Sequence, residues 1–191
     1  MEQLKMYWLP GTPIRNDPLP EGYSVSRFTK DEDRLAWCEC CKNGLIPDDA
    51  GIEAFYHDIE SRPDINIYED VFFLDYQGEH VGTVTAFIHK DSNIGDMHMV
   101  GLKPEFRGRG LAKYFCIITE KKLSEAGVRL IRLTTDEWRK GAVRSYLSGG
   151  FLPVEYDTGM EERWRAVLKE YGIPRVDMLD DAGHYYKTLE I

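Results

Sequence analysis

The chain has 191 residues, a net charge of −9 and 42% hydrophobic residues, which fits one globular domain with an ordinary core. The acidic balance argues against non-specific binding to nucleic acid or to an anionic membrane surface, since both need a basic footprint. No apolar run approaches the roughly 20 residues of a membrane span, and the N-terminus lacks the pattern of a secretory signal, so we expect a cytoplasmic protein.

The cysteines are clustered in an unusual way. Three of the four lie within four positions, but no second group of cysteine and histidine residues completes a tetrahedral metal site. Reduced cysteines on a helix are the favoured interpretation, while soft-metal binding and redox sensing stay open. We therefore predict no metal site. The four residues are Cys38, Cys40, Cys41 and Cys116.

Composition divides the chain into an arm and a domain. Residues 1–22 are rich in proline and glycine, which predicts an N-terminal arm without regular structure of its own. Residues 23–191 are expected to form a single domain. Its core is predicted over 23–156, followed by a C-terminal helix and tail over 157–191.

The first half of the domain changes from helical to strand periods. After a strand over 23–28, Thr29 is expected to cap a helix that ends near Asn43, and a second helix follows over 52–61. Three strands then form an antiparallel meander joined by tight turns. These strands are predicted over residues 71–76, 81–88 and 97–102.

The second half alternates helices and strands. A long amphipathic helix runs from Gly108 to Gly127, and a later helix is closed by Gly172 and Pro174. The order β-α-α-β-β-β-α-β-α-β predicts an α+β fold, with one mixed central sheet and helices on both faces. A last strand is expected near 184–187. The remaining elements are a strand over 128–133, a helix over 142–148, a strand over 151–156 and a helix over 160–171.

A glycine-containing turn joins the third strand of the meander to the long helix. Such a turn exposes unpaired backbone N–H groups at the positive end of the helix dipole, and Gly108 and Gly110 carry no side chain to block a ligand. Phosphate is the expected occupant, although a plain strand–turn–helix connection with solvated arginines fits the same residues. The nearby basic residues are Lys103, Arg107, Arg109 and Lys113.

Two motifs in this region carry a family resemblance. Arg107-x-x-Gly110-x-Ala112 resembles the acetyl-CoA pyrophosphate loop of the GNAT superfamily of N-acetyltransferases, whose pattern is Gln/Arg-x-x-Gly-x-Gly/Ala. Farther on, Ala142-x-x-x-Tyr146-x-x-x-Gly-Phe matches the later motif of that family. The resemblance covers roughly residues 23–156, and residues 134–142 also look like the mycothiol-synthase-like subset.

The resemblance implies an acetyl-CoA-dependent N-acetyltransferase. It would move an acetyl group from acetyl-CoA, as co-substrate, to a primary amine by direct attack in a ternary complex, and a small-molecule acceptor is favoured over a protein. A monomer or homodimer is expected, without a nucleic-acid or membrane partner. Two alternatives stay open: a protein or peptide N-acetyltransferase with an open groove, and a non-catalytic acyl-CoA-binding sensor.

The resemblance also implies how the cofactor would be held. In the family, the strand before the loop is splayed by a bulge and pairs with the pantetheine arm, a position matched by Val100, Gly101 and Leu102. Gly101 suits a bulge or a close backbone approach. Lys113 would lie near the pyrophosphate, whereas Arg139 replaces a common asparagine and leaves the outer contacts in doubt. The loop residues implied are Arg107, Gly108, Arg109, Gly110, Leu111 and Ala112.

Three catalytic candidates follow from the same resemblance. Tyr146 matches the family's tyrosine near the CoA sulfur, where it protonates or hydrogen-bonds the thiolate; a core tyrosine beside Phe151 is the alternative. Asp96 and His98 lie where relatives carry the general base, and strand alternation places both with Val100 on one face. A histidine, with a pKa of about 6.5, suits that role, although a turn-ending Asp96 and a half-buried His98 fit equally.

The acceptor pocket is expected over the other side of the sheet, bordered by the first two helices. Its candidate residues follow from location alone, and we expect most of the aromatic ones to belong to the core. They are Trp37, Phe55, Tyr56, His57 and Asp58.

Overall fold

The computed structural model describes residues 2–191, whose nine strands form one mixed sheet. In chain order the strands are β1 (Leu4–Trp8), β2 (Tyr23–Arg27), β3 (Val71–Tyr76), β4 (Glu79–His89), β5 (Ile94–Leu102), β6 (Leu130–Thr135), β7 (Leu152–Glu155), β8 (Arg175–Asp180) and β9 (Tyr185–Glu190). Across the sheet the order is β2-β3-β4-β5-β6-β1-β7-β8-β9. Neighbours are antiparallel except β5 with β6 and β7 with β8.

The helices are α1 (Glu32–Cys41), α2 (Glu53–Phe55), α3 (Ile67–Asp70), α4 (Ala112–Glu125), α5 (Lys140–Ser148) and α6 (Met160–Tyr171). A π-helical turn over Tyr56–Glu60 continues α2, and a 3-10 turn over Pro104–Phe106 precedes α4. Helix α1 and the π-helical turn bury one face of the sheet around Trp37, while α4, α5 and α6 bury the other around Phe115. Within the described part of the chain, no helix has the length and apolarity needed to cross a membrane.

This architecture confirms the predicted α+β class with a mixed sheet and helices on both faces. The antiparallel meander is present as β3, β4 and β5. The turn between β3 and β4 falls at Gln77 and Gly78, which both take positive φ, as a two-residue hairpin requires.

The N-terminal arm is the main error of the sequence-based prediction. Residues Leu4–Trp8 form β1, which pairs antiparallel with β6 and β7 inside the sheet. Leu4 and Met6 are fully buried, and Lys5 reaches Asp181 with Nζ 2.7 Å from Oδ1. The alternation of Leu4, Met6 and Trp8 is a strand period, but the proline-rich stretch behind it dominated the composition of residues 1–22.

Three local predictions also need correction. Thr29 does not cap α1; the Asp33 carboxylate accepts hydrogen bonds from the backbone N–H groups of Thr29 (2.7 Å) and Lys30 (3.1 Å). The second helix is α-helical for only three residues before it widens into the π-helical turn. The tail forms two strands, β8 and β9, of which only the second was predicted.

Strands β5 and β6 pair for only three residues and then separate. The parallel pairing ends at Asp96 opposite Arg132; beyond it, β5 stays with β4 and β6 stays with β1. Met99 and Val100 together oppose one residue of β4, which is a bulge, and Met99 takes a φ of 49°. The bulge and the separation open a wedge in the middle of the sheet.

The bulge reverses the alternation predicted for β5. Met99 packs with the cluster under α1, whereas Val100 packs with Met97 on the opposite face, so Val100 does not share a face with His98. Gly101 is not the bulged residue. It lies against the backbone of α1, where an added Cβ would meet the Cys40 carbonyl oxygen at 2.5 Å.

We expect Gly101→Ala to lower the free energy of unfolding by about 1 to 3 kcal/mol, because the new methyl group must push α1 away from β5. Urea denaturation of the variant measures the loss. Gly141→Ala is the control, since an added Cβ there meets nothing within 4 Å. An unchanged urea midpoint for Gly101→Ala would show that α1 yields without cost.

Candidate active site

The turn between β5 and α4 presents a row of free backbone donors. The N–H groups of residues 108–113 donate no hydrogen bond within the described residues. Gly108 and Gly110 have φ values of 75° and 72°, which L-amino acids seldom adopt, and both face open space. Six consecutive amides at a helix N-terminus form a cradle for an anion such as a phosphate group.

The basic side chains brace this turn. Arg107 donates from Nε to the Leu102 carbonyl oxygen (2.9 Å) and from Nη2 to the Asn43 carbonyl oxygen (3.2 Å). Arg109 donates to the Glu105 carbonyl oxygen (2.7 Å), and Lys113 lies 3.5 Å from an Asp17 oxygen. The amides, more than these cations, are therefore left available to a ligand.

A cleft of about 650 Å³ runs from this turn along the free edge of β5 towards α5. It brings together most of the residues predicted to hold the cofactor, whereas Arg109 and Lys113 lie outside its lining. The predicted residues that line it are Val100, Gly101, Leu102, Arg107, Gly108, Gly110, Leu111, Ala112 and Arg139.

A second chamber of about 170 Å³ occupies the wedge between β5 and β6. Five residues line both spaces, so the cleft and the chamber meet at one junction. His98 lies on the chamber side of it. The shared residues are Leu45, Val100, Arg139, Ala142 and Tyr146.

Tyr146 lies at the junction and is buried. Its ring meets Phe151 edge-on at 6.1 Å, and its hydroxyl makes no hydrogen bond among residues 2–191. Burial raises the pKa of Tyr146, so the phenol stays protonated at neutral pH. A buried, protonated and unpaired hydroxyl can donate a proton or a hydrogen bond to a ligand atom at the junction.

His98 is half-buried and held by one hydrogen bond. Its Nε2 lies 3.2 Å from the backbone oxygen of Asp58, and a carbonyl oxygen can only accept, so Nε2 carries the proton. Burial lowers the pKa of His98, and the nearby Arg62 charge lowers it further. The ring is therefore neutral at pH 7, with the Nδ1 lone pair free to accept a proton.

Asp96 is engaged in an ion pair. Arg132 contacts both of its oxygens, at 2.7 and 2.8 Å, and His89 Nε2 lies 2.7 Å from Oδ2. Asp96 and Arg132 are also the last paired residues of β5 and β6, and Asp96 lines neither the cleft nor the chamber. These contacts fit Asp96 to a structural role at the closed end of the wedge better than to proton transfer.

Arg139 connects the two walls of the cleft. Its Nη2 donates to the carbonyl oxygen of Gly44 (2.6 Å), in the loop that follows α1. Its Nε pairs with Asp136 (2.9 Å), in the loop that precedes α5. The Arg139 guanidinium lies over the exposed ring of Trp138, with Cζ 4.4 Å from the ring centroid. The arginine thus ties the two loops together at the point where the sequence departs from the family pattern.

The predicted acceptor residues are mostly elsewhere. Trp37 and Phe55 are fully buried in the core, Tyr56 and His57 face solvent, and Asp58 reaches the site only through its carbonyl oxygen. The chamber is lined instead by residues that sequence reasoning missed, because strands distant in the chain bring them together. They are Gln3, Leu45, Met97, Met99, Thr134 and Thr135.

The cysteines take no part in this site as nucleophiles. All four are free and buried, and burial raises the pKa of every thiol. Among residues 2–191, no three His, Cys, Asp or Glu side chains are grouped as a metal ion would need.

Comparison with known proteins gives one family. The family model described as Acetyltransferase (GNAT) family matches residues 21–151. A mycothiol acetyltransferase of Streptomyces scabiei is 30% identical over 151 residues, which cover 73% of this chain and 46% of that protein. The chain spans about half the length of the curated relatives it matches.

Solved structures share the fold. A GCN5-related N-acetyltransferase from Sphaerobacter thermophilus superposes with a TM-score of 0.63 at 20% identity, over 80% of this chain and 49% of that one. Diaminobutyrate acetyltransferase from Paenibacillus lautus, in complex with L-2,4-diaminobutyric acid and coenzyme A, gives a TM-score of 0.52 at 16% identity, over 66% of this chain and 73% of that one. At these identities the likeness is one of architecture.

Proposed function

Because this chain belongs to the acetyltransferase (GNAT) family, we propose that it transfers an acetyl group from acetyl-CoA to the nitrogen of a small primary amine. The observation that carries the proposal is the junction of the two spaces. A cleft with a phosphate cradle at one end meets a small chamber at Tyr146, and His98 lies on the far side.

The cofactor would lie along the cleft. The free amides of residues 108–113 would bind the pyrophosphate. The edge of β5 at Val100, beside the Leu102 carbonyl oxygen that Arg107 occupies, would accept the pantetheine arm as an added strand. This arrangement would place the thioester beside Tyr146. The coenzyme A bound in the Paenibacillus diaminobutyrate acetyltransferase, which shares the fold, supports a cofactor of this kind.

The chemistry then needs three proton transfers. A protonated amine has no lone pair, so His98 would take a proton from it at Nδ1, directly or through water. The freed nitrogen would attack the thioester carbon, the C–N bond would form, and the C–S bond would break as the tetrahedral intermediate collapses. The departing thiolate would receive the proton of Tyr146, which burial keeps on the phenol. The acetylated nitrogen would then give up its surplus proton to the Tyr146 phenolate, directly or through water. Asp96, paired with Arg132, would hold the wedge in shape.

The chamber favours a small acceptor. Its volume of about 170 Å³ accommodates a compact amine, and its polar lining from Gln3, Thr134 and Thr135 offers hydrogen bonds to uncharged groups. A peptide or protein would need an open groove in place of this chamber.

The first test is cofactor binding by calorimetry. We expect Gly110→Ala to weaken acetyl-CoA binding by about 10- to 100-fold, because leaving positive φ misdirects amides whose charge-assisted hydrogen bonds contribute about 1.5 to 3 kcal/mol each. Gly127→Ala is the matched control, since Gly127 has a φ of 70° and open space around it but lies at the far end of α4.

Free-thiol release from acetyl-CoA with a panel of small amines tests turnover. Equal binding by the two glycine variants would remove the cradle from the proposal. Tight acetyl-CoA binding without thiol release on any amine would instead support a non-catalytic sensor. Absence of acetyl-CoA binding by the unmodified protein would overturn the proposed function.

A further inference from the structure

The π-helical turn ends in a way that leaves one backbone carbonyl without a helical partner. The Ser61 N–H closes the turn on the Tyr56 oxygen at 2.8 Å, five residues back. Continuing this pattern, the Asp58 oxygen would need the N–H of Pro63, which proline lacks. Arg62 turns its own N–H to the Ile59 oxygen at 3.2 Å. The Asp58 carbonyl is therefore free of backbone donors.

Two side chains use this free carbonyl. His98 donates from Nε2 at 3.2 Å, and Arg62 donates from Nε at 2.9 Å. The hydrogen bond from His98 decides which of its ring nitrogens carries the proton. The hydrogen bond from Arg62 brings a guanidinium charge to the same oxygen. Rare π-helical turns often occur at functional sites, where the extra residue redirects a backbone group.

We propose that the π-helical turn Tyr56–Glu60, ended by Arg62 and Pro63, is a positioning device for His98. It holds the ring in the Nε2–H tautomer, which leaves Nδ1 as the basic nitrogen, and Arg62 disfavours the charged ring. The inference rests on the proposed function, in which His98 takes the proton of the acceptor amine.

The charges around His98 agree with this role. Burial and the Arg62 guanidinium lower its pKa, while the carboxylates of Asp96 and Asp58 and the hydrogen bond to the Asp58 carbonyl act in the opposite direction. The Asp96 carboxylate is itself paired with Arg132, which weakens its pull on the ring. Phe87 adds an apolar contact, with its ring edge-on at 6.0 Å. The His98 ring therefore stays neutral at pH values low enough to protonate an exposed histidine.

The direct test is the ¹⁵N chemical shift of the His98 ring nitrogens in histidine-labelled protein, followed through a pH titration. We expect a protonated Nε2 and an unprotonated Nδ1 in the unmodified protein. Arg62→Gln should raise the pKa of the ring, and Pro63→Ala should mix the two tautomers, because its new N–H competes for the Asp58 carbonyl. Arg175→Gln, which removes an exposed charge on β8, should change neither measurement.

Kinetics provide the second measurement. The acid limb of kcat/KM reports the free-enzyme base, so Arg62→Gln should move it to higher pH without changing the KM for acetyl-CoA. An Nδ1–H tautomer in the unmodified protein, or an unmoved ring pKa in Arg62→Gln, would refute the positioning role. The spectra need no turnover, so this failure is distinct from a failure of the proposed function, which would appear as absence of acetyl-CoA binding by the unmodified protein.

Discussion

Replacing His98 with glutamine is expected to lower kcat by about 10²- to 10⁴-fold, the range that a well-placed general base contributes. Glutamine can still donate to the Asp58 carbonyl oxygen, so the π-helical turn should keep its place, but an amide cannot accept the amine proton. Acetyl-CoA binding should be unchanged, because His98 lies in the chamber and outside the cleft. Steady-state thiol release and calorimetry measure the two effects separately.

His57→Gln is the matched control. His57 stands on the same π-helical turn, but its side chain is 85% exposed and its Nδ1 contacts the Asp58 carboxylate at 2.8 Å. It should keep the rate of the unmodified protein. The rate of His98→Gln should also climb with pH, since a larger fraction of the amine is then unprotonated without help. A His98→Gln enzyme within twofold of the unmodified rate at neutral pH would contradict the assignment.

The second large effect is on stability and concerns Glu120, a buried residue of α4. Neither carboxylate oxygen has a hydrogen-bond partner among the described residues, and Oε1 lies closely beneath Gly149. Burial raises the pKa of Glu120 to about 7, the Arg15 charge acts in the opposite direction, and the Cys116 thiol is a titratable neighbour. The folded protein therefore holds a proton that the unfolded chain releases near pH 4.5.

The sign of the pH dependence follows from that difference. Between pH 4.5 and about 7 the folded state binds more protons than the unfolded state, so the free energy of unfolding falls as pH rises. By pH 9 the loss should reach about 3 to 4 kcal/mol, as a shift of one pKa unit corresponds to about 1.4 kcal/mol. Glu120→Gln removes the titration and should be more stable than the unmodified protein at pH 9 by about that amount.

Urea denaturation at pH 5, 7 and 9 measures the effect, with Glu125→Gln as the control because Glu125 is exposed at the end of the same helix. The two variants should differ at pH 9 and converge with the unmodified protein at pH 5. If Glu120→Gln and the unmodified protein keep the same difference in stability at every pH, the carboxyl does not titrate in the folded state as proposed.

Local chemistry allowed much of this protein to be predicted. The bounds of α6 agree with the prediction because Gly172 ends the helix with a left-handed backbone, and the turn after β3 follows from Gly78, a residue type that accepts positive φ. The anion cradle depends on neighbouring residues in the chain, since Gly108, Gly110 and the start of α4 create it together. For the same reason the cleft contains most of the residues predicted to hold the cofactor.

Long-range pairing accounts for the misses. A five-residue strand such as β1 carries little periodic signal of its own, and only pairing with β6 and β7, more than 120 residues away in the chain, makes it part of the sheet. Gln3 and Thr134 reach the chamber between β5 and β6 through the same pairing. Residue type alone could not show which polar side chains would meet there.

The sequence by itself determined the family, the fold class and the glycine turn with its free amides, because each depends on residues close together in the chain. Only the tertiary structure showed how differently the two candidate bases are held. Arg132 on β6 pairs with Asp96, whereas His98 contacts the backbone carbonyl of Asp58. The physical reason is that the protonation and accessibility of a side chain depend on the partners and the burial around it, and here the fold brings those partners from distant parts of the chain.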